Sequence, residues 1–386
     1  MRLLHVVPTY LPATRYGGPI VAVHGLCRAL AARGHTVEVF TTSIDGPLDS
    51  AVPYDAPVML DGVKVRYFAS RLLRRLSWAP ALARTLQRDM AGADAVHLHS
   101  VFLWPTWAAA RLAARSAIPY VISPRGMLVD KLIAGRHRVL KSAWIGLIER
   151  SNLEGASAIH VTSPTEATAL GKFGFQLRRV ATIPNGVDEI ANAPAIDPSE
   201  DIEALATGPP FILFFGRLTW VKGLDRLLRA FAQTTAGTLA IVGTDYDNLA
   251  PRLRQLAAEL KITERVRLVP RTVTGTDKEF VFAAARGFVM PSYSESFGNS
   301  ALEAMQRGLP VIVTRDVGVS NIVEASGGGI VVDGTQDQLA SAIQRLVQDP
   351  ALCRSTGEAG RHFVDEHCGW AGVAARMEAL YESLRS

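Results

Sequence analysis

Residues 211–223 decide the fold, and they read FILFFGRLTWVKG. The first five form a short apolar run that is typical of a buried strand. Arg217 and Lys222 lie on the loop that follows, and a helical pattern begins directly after it. A strand that leads through a short loop into a helix is the repeating unit of parallel α/β sheets.

The same alternation continues in both directions along the chain. It predicts strands at 3–7, 36–40, 63–68, 95–98, 119–122, 158–161, 180–183, 211–215, 238–242, 265–269, 287–290, 309–313 and 329–332. It predicts helices at 19–33, 223–233, 249–260, 277–285, 299–307, 336–347, 351–366 and 370–386. Residues 189–210 are rich in Pro, Ala and acids without a strong period, which indicates a linker. The fold class is therefore α/β, with two doubly wound domains.

Length and composition exclude several classes of protein. The 386 residues suggest two or three domains, and a content of 48% hydrophobic and 20% charged residues excludes a disordered or collagen-like chain. The three cysteines (Cys27, Cys353 and Cys368) have no metal-ligand spacing and indicate a reducing compartment. No apolar run reaches the roughly 18 residues of a membrane span, and the first residues do not resemble a secretory signal. We therefore expect a soluble cytoplasmic protein.

Positive charge is concentrated in one part of the chain. Residues 66–150 hold 14 Lys and Arg against 4 Asp and Glu, whereas residues 191–386 hold 19 against 23. A solvated basic face would explain this, as would an anionic partner. No zinc-finger or RNA-recognition motif points to nucleic acid. We expect contact with an anionic membrane surface, because basic residues accompany tryptophans in two places: Arg71, Arg74 and Arg75 with Trp78, and Lys131, Arg136, Arg138 and Lys141 with Trp144.

The loop at 216–223 predicts a phosphate site. The chain lacks a Gly-x-Gly-x-x-Gly after a strand, and its Gly171-Lys172 pair precedes Phe173, so dehydrogenase and Walker A motifs are missing. Arg217 and Lys222 can instead converge on an anion at the start of the helix. A planar guanidinium combined with an ammonium suits a diphosphate. Two solvated loop cations are the alternative.

A second motif, after the strand at 287–290, favours the phosphate interpretation. Residues 291–305 read PSYSESFGNSALEAM. Ser296 is the predicted N-cap, Gly298 allows close backbone approach, and Glu303 lies about a turn and a half into the helix. The carboxylates of Glu295 and Glu303 can accept hydrogen bonds from sugar hydroxyls, while free helix N–H groups hold negative charge. A capped helix with two incidental acids is the alternative.

These motifs, together with Pro184-Asn185-Gly186-Val187-Asp188, resemble the retaining glycosyltransferases of family 4. The resemblance implies a GT-B fold, in which two Rossmann-like doubly wound domains face each other across a cleft. The acceptor domain would comprise 1–188 with the helix at 370–386, which begins at Trp370, and the donor domain would comprise 189–369. The co-substrate would be a nucleoside diphosphate sugar, with no cofactor and no metal. Asp245-Tyr246-Asp247 resembles an Asp-x-Asp metal motif, but we expect a solvated loop there.

The resemblance also implies roles for individual residues. Arg217 and Lys222 would bind the donor diphosphate, and Glu295 would contact the transferred sugar; these three are the candidate catalytic residues. Glu303 would hold the ribose, and Val273 would lie beside the base. The remaining implied donor contacts are Gly17, Gly18, Ser296, Phe297, Gly298 and Asn299.

The first domain departs from the family pattern in one loop. Relatives often carry His near the position of Arg125, and Arg125 cannot accept a proton, so we expect it to stabilise an anion. His99 is the second acceptor-side candidate. His97 and His99 are expected to point to opposite faces of their strand, with His97 in the core. The loop Gly318-Val319-Ser320-Asn321, where relatives carry Glu, is given no role.

The resemblance carried by these residues implies a retaining hexosyltransferase that would move a sugar from a UDP- or GDP-sugar to a hydroxyl of a glycan or lipid-linked acceptor. The basic first domain points to cell-envelope polysaccharide synthesis, at the inner face of the cytoplasmic membrane. The alternatives are a GT-B sugar-nucleotide epimerase or phosphorylase, and a non-catalytic scaffold of a polysaccharide assembly.

Overall fold

The structure is a computed structural model that describes residues 1–13, 15, 17–54, 56–129, 143–190 and 197–385. The chain divides into two compact units. Unit 1 comprises Met1–Gly186 and Trp370–Ser386, and unit 2 comprises Val187–Gly369. Unit 1 is therefore built from two separate segments of the chain.

Unit 1 begins with an alternation of strands and helices. Its strands are β1 (Arg2–Thr9), β2 (Thr36–Thr42), β3 (Ile44–Asp45), β4 (Leu48–Asp49), β5 (Val58–Leu60), β6 (Val63–Phe68), β7 (Ala95–His99), β8 (Tyr120–Ser123), β9 (Ala158–Val161) and β10 (Val180–Thr182). The helices described in this segment are α1 (Gly18–Ala32), α2 (Pro80–Asp89), α3 (Trp104–Arg115), α4 (Arg150–Gly155) and α5 (Pro164–Gly171), with a 3-10 turn at Arg74–Leu76 and a π-helical turn at Ile145–Glu149.

The described strands of unit 1, apart from the β3–β4 hairpin, form one sheet in the order β10-β9-β8-β7-β1-β2-β6-β5. All its pairs are parallel except β5–β6. Successive side chains of a strand point to opposite faces. Leu4 and Val6 of β1 accordingly pack into one core with α2 and α3, and Leu3 and Val7 pack into another with α1. Helices thus cover both faces of the sheet.

Unit 2 repeats the alternation. Its strands are β11 (Phe211–Phe215), β12 (Thr238–Val242), β13 (Val266–Val269), β14 (Gly287–Met290), β15 (Val311–Thr314) and β16 (Gly329–Val332). The helices are α6 (Glu200–Ala206), α7 (Leu224–Phe231), α8 (Ala250–Glu259), α9 (Gly275–Ala284), α10 (Asn299–Gln306), α11 (Ser320–Ser326), α12 (Gln336–Gln348) and α13 (Pro350–His367), with 3-10 turns at Trp220–Lys222 and Thr263–Arg265. The last helix, α14 (Trp370–Glu382), belongs to unit 1.

The sheet of unit 2 is parallel, in the order β13-β12-β11-β14-β15-β16. Alternate residues of β11 again enter two cores, Phe211 and Leu213 on one face and Ile212 and Phe214 on the other. The strand order reverses between β11 and β14. Sheets of this kind bind ligands beyond the carboxyl ends of the strands at such a reversal, so the loops after β11 and β14 lie where a site is expected.

The α/β class with doubly wound parallel sheets is confirmed. The interpretation of 189–210 as a linker is wrong for part of that range, because α6 lies within it and buries Ile202 and Leu205 in the core of unit 2. Residues 191–196 lie outside the described residues. The antiparallel edge strand β5 was also not predicted.

Two glycines of unit 1 leave room for the side chain of Trp370, the first residue of α14. A Cβ atom on Gly25 would lie 2.3 Å from the Trp370 indole, and one on Gly186 would lie 2.5 Å from it. The indole therefore occupies a slot that only glycine leaves open. Further along α14, Val373, Met377 and Tyr381 are buried in the core that contains α1. In the described part of the chain, no helix is both long and apolar enough to cross a bilayer.

Candidate active site

Three loops of unit 2 meet beyond the carboxyl ends of the neighbouring strands β11, β14 and β15. The Tyr293 amide donates a hydrogen bond to the Val221 carbonyl at 2.7 Å, which joins the loops after β14 and β11. The Glu295 amide donates to the Asp316 carbonyl at 3.0 Å, and the Gly318 amide donates to the Glu295 carbonyl at 2.9 Å. These bonds fix the backbone around Glu295 on both sides.

Two glycines with positive φ permit this close packing. Gly223 has φ 66°, and a Cβ atom there would lie 2.2 Å from the Pro291 carbonyl oxygen. Gly298 has φ 103° and is the N-cap of α10. The prediction of Ser296 as N-cap is therefore wrong, because the chain turns two residues later, where glycine alone adopts this conformation without strain.

The predicted charged residues form two ion pairs and leave one cation unpaired. Lys222 pairs with Glu295, and the Lys278 ammonium lies 2.9 Å from a carboxylate oxygen of Glu303. Arg217 is exposed, and it makes no hydrogen bond or ion pair with any described residue. An exposed guanidinium on the same loop as Lys222 can bind an anion without disturbing the core.

A further arginine holds the loop after β14 in place. The Arg226 Nε donates to the Pro291 carbonyl at 2.6 Å, and its guanidinium stacks 4.3 Å from the centre of the Tyr293 ring. Burial lowers the pKa of Arg226. The Tyr293 hydroxyl in turn donates to Asp225 at 3.0 Å. Because its donors are directed at the loop, Arg226 supports the site structurally.

The structure limits what the apolar site candidates can contribute. Phe297 and Val273 are 2% and 4% exposed and pack in the core, so only their backbones can face a ligand. Asn299 is half-buried at the start of α10.

Sequence reasoning missed Lys278 and Asp316, since no spacing relates them to the carboxylate motif.

Four histidines are fully buried at the centre of unit 1: His5, His97, His99 and His160. The rings of His97 and His99 stack with their centres 4.1 Å apart. The expectation that they point to opposite faces is therefore wrong, because residues two apart on a strand share a face. Burial lowers the pKa of His5 and His160 to about 3 and holds the pKa values of His97 and His99 well below the ordinary value.

A chain of hydrogen bonds crosses this cluster from α14. The Ile183 carbonyl accepts from His160 Nε2 at 2.9 Å, so neutral His160 must accept the Ser123 hydroxyl at Nδ1, at 2.7 Å. Ser123 then accepts from His97 Nε2 at 2.7 Å, and His97 Nδ1 accepts from the Tyr381 hydroxyl at 2.7 Å. Because the Ile183 carbonyl can only accept, it determines which atom donates and which accepts in every hydrogen bond of this series.

A second branch starts at Arg125. Its Nη2 donates to His99 Nδ1 at 3.3 Å, so His99 Nε2 donates to His5 Nδ1 at 3.0 Å. Arg125 Nη1 donates to the Asn185 side-chain oxygen at 2.9 Å. Burial lowers the pKa of Arg125, its Nε has no partner among the described residues, and no described carboxylate forms an ion pair with it. Arg125 is thus a half-buried cation without a bonded counter-charge, and the Glu166 carboxylate acts on it only through its charge.

The nitrogens of His5, His97 and His99 lie within 4.8 Å of one another, which is close enough for metal ligands. Both nitrogens of His97 and of His99 are already hydrogen bonded. A metal ion would have to replace these bonds and lie beside the Arg125 guanidinium. The arrangement therefore favours a hydrogen-bond network.

Two other predicted loops have structural roles. Gly17, with φ 69°, is the N-cap of α1, and Gly18 begins that helix; their contact with donor phosphates stays a prediction. The Asp245 carboxylate accepts the amides of Leu249 and Ala250 at 2.7 and 2.9 Å, so it caps α8.

Comparison with known proteins identifies the family. The profile described as "Glycosyl transferases group 1" matches residues 196–363, and the "Glycosyl transferase 4-like domain" matches residues 17–186. D-inositol 3-phosphate glycosyltransferase 1 of Catenulispora acidiphila is 30% identical, covering 95% of this chain and 91% of its own length. The D-inositol 3-phosphate glycosyltransferase of Pseudarthrobacter chlorophenolicus is 29% identical, covering 96% and 92%.

Solved structures agree in fold. A sucrose-phosphate synthase of Thermosynechococcus elongatus is 25% identical with a TM-score of 0.77, covering 99% of this chain and 98% of its own. HepE of Anabaena, in complex with UDP and glucose, is 19% identical with a TM-score of 0.74, covering 99% and 100%. The fold is thus GT-B, and the chain belongs to the group 1 glycosyl transferases of glycosyltransferase family 4.

Proposed function

We propose that the protein transfers a hexose from a UDP- or GDP-sugar to a hydroxyl of a glycan or lipid-linked acceptor, with retention of configuration. The observation that carries the proposal is the meeting of the Arg217 and Lys222 loop with the Glu295 and Glu303 segment at the strand reversal of unit 2. Solved relatives bind this class of molecule, as HepE is known in complex with UDP-glucose.

Unit 2 supplies the donor contacts in this proposal. Arg217 and Lys222 bind the diphosphate, Glu303 binds the ribose, and Glu295 binds the sugar. The helix N-terminus after Gly298 adds N–H groups that favour negative charge. The backbones of Phe297 and Asn299 line this position, and Ser296 lies on the same loop.

The chemistry needs charge stabilisation more than a strong base. The bond between the anomeric carbon and the phosphate oxygen breaks, and a bond from that carbon to the acceptor oxygen forms on the same face. The acceptor hydroxyl gives its proton to the departing phosphate. Arg217 and Lys222 hold the negative charge that develops on the diphosphate, which is the part a metal ion plays in other transferases.

We propose that unit 1 binds an acceptor that carries negative charge. The support is Arg125, a half-buried arginine whose Nε is buried without a partner and which forms no ion pair with the described residues. A phosphate or carboxylate on the acceptor would supply the missing counter-charge. His99 positions Arg125 in this proposal, since its Nδ1 accepts from the guanidinium.

The donor proposal is tested by incubating the full chain with UDP-, GDP- and ADP-sugars and measuring release of nucleoside diphosphate. We expect release from one donor, and faster release with a phosphate-bearing acceptor. A changed sugar on intact nucleotide would identify an epimerase, and a requirement for orthophosphate would identify a phosphorylase. Absence of both release and calorimetric donor binding would contradict the proposal and favour the scaffold.

We also propose that unit 1 attaches to an anionic membrane. Leu72 and Leu73 are each 64% exposed, beside Arg71 and Arg75. The Trp78 ring lies edge-on to Trp104, with ring centres 6.4 Å apart. Trp104 lines a groove of about 410 Å³ between α2 and α3 whose other lining residues include Trp107, Arg84, Arg111 and Arg115. Exposed aliphatic side chains with a tryptophan and arginine rim suit an anionic interface.

One part of the predicted basic surface differs from expectation, and a second part is not described. Arg74 does not face outward freely, because it bonds Asp49 at 2.9 Å and the Leu48 carbonyl at 2.7 Å. The second group, Lys131, Arg136, Arg138 and Lys141, lies outside the described residues, although Trp144 is described.

Vesicle sedimentation tests the attachment. We expect the protein to sediment with phosphatidylglycerol vesicles in low salt and to remain in solution with phosphatidylcholine vesicles. Replacing both Leu72 and Leu73 by Glu should reduce bound protein at least tenfold, because it removes apolar contact and adds repulsion. Met59→Glu is the matched control, since Met59 is 62% exposed on the edge strand β5. Equal binding by both variants and wild type would contradict the proposal.

A further inference from the structure

Lys222, which binds the donor diphosphate in the proposed function, is already paired with Glu295. The side chains of Lys222 and Glu295 are 16% and 21% exposed, so both charges are largely withdrawn from water. A phosphate that binds Lys222 must therefore displace the carboxylate or share the ammonium with it. Ion pairs that are partly desolvated compete more strongly with an incoming ligand than exposed ones.

The backbones that carry this ion pair cannot move apart easily. The amide of Lys222 donates to the Thr219 carbonyl at 3.1 Å, and the next loop is attached through Tyr293 and Val221. On the other side, Asp316 and Gly318 bond the backbone of Glu295. Separation of the ion pair therefore requires rotation of the Lys222 or Glu295 side chain and no movement of the backbone.

The second carboxylate is arranged differently. Glu303 pairs with Lys278, whose ammonium also lies 5.9 Å from the centre of the Phe215 ring. Lys278 is on α9 and is not part of the loop that carries Arg217 and Lys222. Glu303 therefore does not compete for a phosphate-binding cation, and the competition is specific to Glu295.

We propose that Glu295 competes with the diphosphate for Lys222 and so makes the site prefer an intact sugar nucleotide to a spent nucleoside diphosphate. This inference rests on the proposed function. With a sugar nucleotide bound, Lys222 contacts the diphosphate, and the released carboxylate accepts hydrogen bonds from sugar hydroxyls. After transfer the sugar hydroxyls are gone, so the carboxylate of Glu295 has lost its hydrogen-bond donors. Glu295 then returns to Lys222, which weakens product binding and speeds its release.

The test compares Glu295→Gln with wild type by calorimetry, using UDP with UDP-glucose and GDP with GDP-mannose. Gln has the size of Glu but no charge. We expect the variant to bind the free nucleoside diphosphate three- to tenfold more tightly. Its preference for the sugar nucleotide over that diphosphate should shrink at least tenfold, because hydroxyl bonds to a charged acceptor are lost. Product inhibition by the same diphosphate should strengthen in parallel.

Two controls separate competition from general effects. In a Lys222→Ala background, Glu295→Gln should bring no gain in diphosphate binding, because the contested cation is absent. Glu324→Gln removes one carboxylate from an exposed cluster around Arg315 and should change neither affinity. Thermal denaturation checks that each variant is folded.

The outcomes distinguish the inference from the proposed function. If Glu295→Gln binds the free diphosphate as weakly as wild type or more weakly, the competition is wrong while the transferase proposal stands. If wild type binds none of the four nucleotides, the proposed function fails and the inference fails with it.

Discussion

Arg217→Ala is expected to reduce turnover by about 10²–10³-fold without destabilising the fold. The developing charge on the departing diphosphate needs a donor that is in place before the reaction, and loss of such a donor typically costs this much. Stability should hardly change, because Arg217 is exposed and bonds no described residue. The measurements are steady-state sugar transfer and the midpoint of thermal unfolding.

Two variants sharpen the interpretation of Arg217. Arg217→Lys keeps the charge but loses the planar fork, so it should recover only part of the activity. Arg252→Ala removes another exposed arginine of unit 2, at the start of α8, and should leave turnover unchanged. Wild-type activity in Arg217→Ala would show that the diphosphate is held elsewhere.

Mild acid is expected to destabilise unit 1 severely. His5, His97, His99 and His160 stay neutral in the folded state because burial lowers their pKa values, whereas in the unfolded chain they titrate near 6.5. The unfolded state therefore binds more protons as the pH falls below 6.5, and stability is lost in that direction. Four such groups predict a loss of about 5 kcal/mol in the free energy of unfolding between pH 7.5 and 5.5.

Denaturant titrations at several pH values test this prediction. Five of the six tryptophans lie in unit 1, so tryptophan fluorescence reports mainly on that unit. His5→Gln should lower the pH dependence by about a quarter, since one of four histidines is removed. His362→Gln is the control, because this side chain is 86% exposed. Unchanged stability between pH 7.5 and 5.5 would mean that the buried cluster takes up protons while folded.

Most of the fold could be predicted because strong apolar runs determine strands. Phe211–Phe215 and Gly287–Met290 begin and end where their patterns predict. The edge strand Val58–Leu60 was missed, since three residues give too short an alternation to recognise. Helix α6 was missed for a related reason: its acidic turns conceal the two apolar residues that it buries.

The residues that form the site could largely be predicted from the sequence, but the contacts between them could not. Loops after parallel strands necessarily gather at one edge, which is why the sequence places Arg217 and Glu295 together. The choice of ion-pair partners depends on side chains from elsewhere in the fold, so the pairing of Glu303 with Lys278 had no sequence signal. The buried network around His97 and Arg125 likewise depends on Tyr381, which lies 284 residues beyond His97 in the chain.

Because α14 completes unit 1, the order of synthesis on the ribosome determines which unit can finish folding first. Residues 187–369 are all synthesised before Trp370 and Tyr381, so unit 2 can finish folding while unit 1 still lacks its last helix. Until then the slot between Gly25 and Gly186 is empty and His97 has no hydroxyl donor. The N-terminal half, although made first, is the half that matures last, and a nascent chain that stalls before residue 370 exposes the apolar face that α14 will cover.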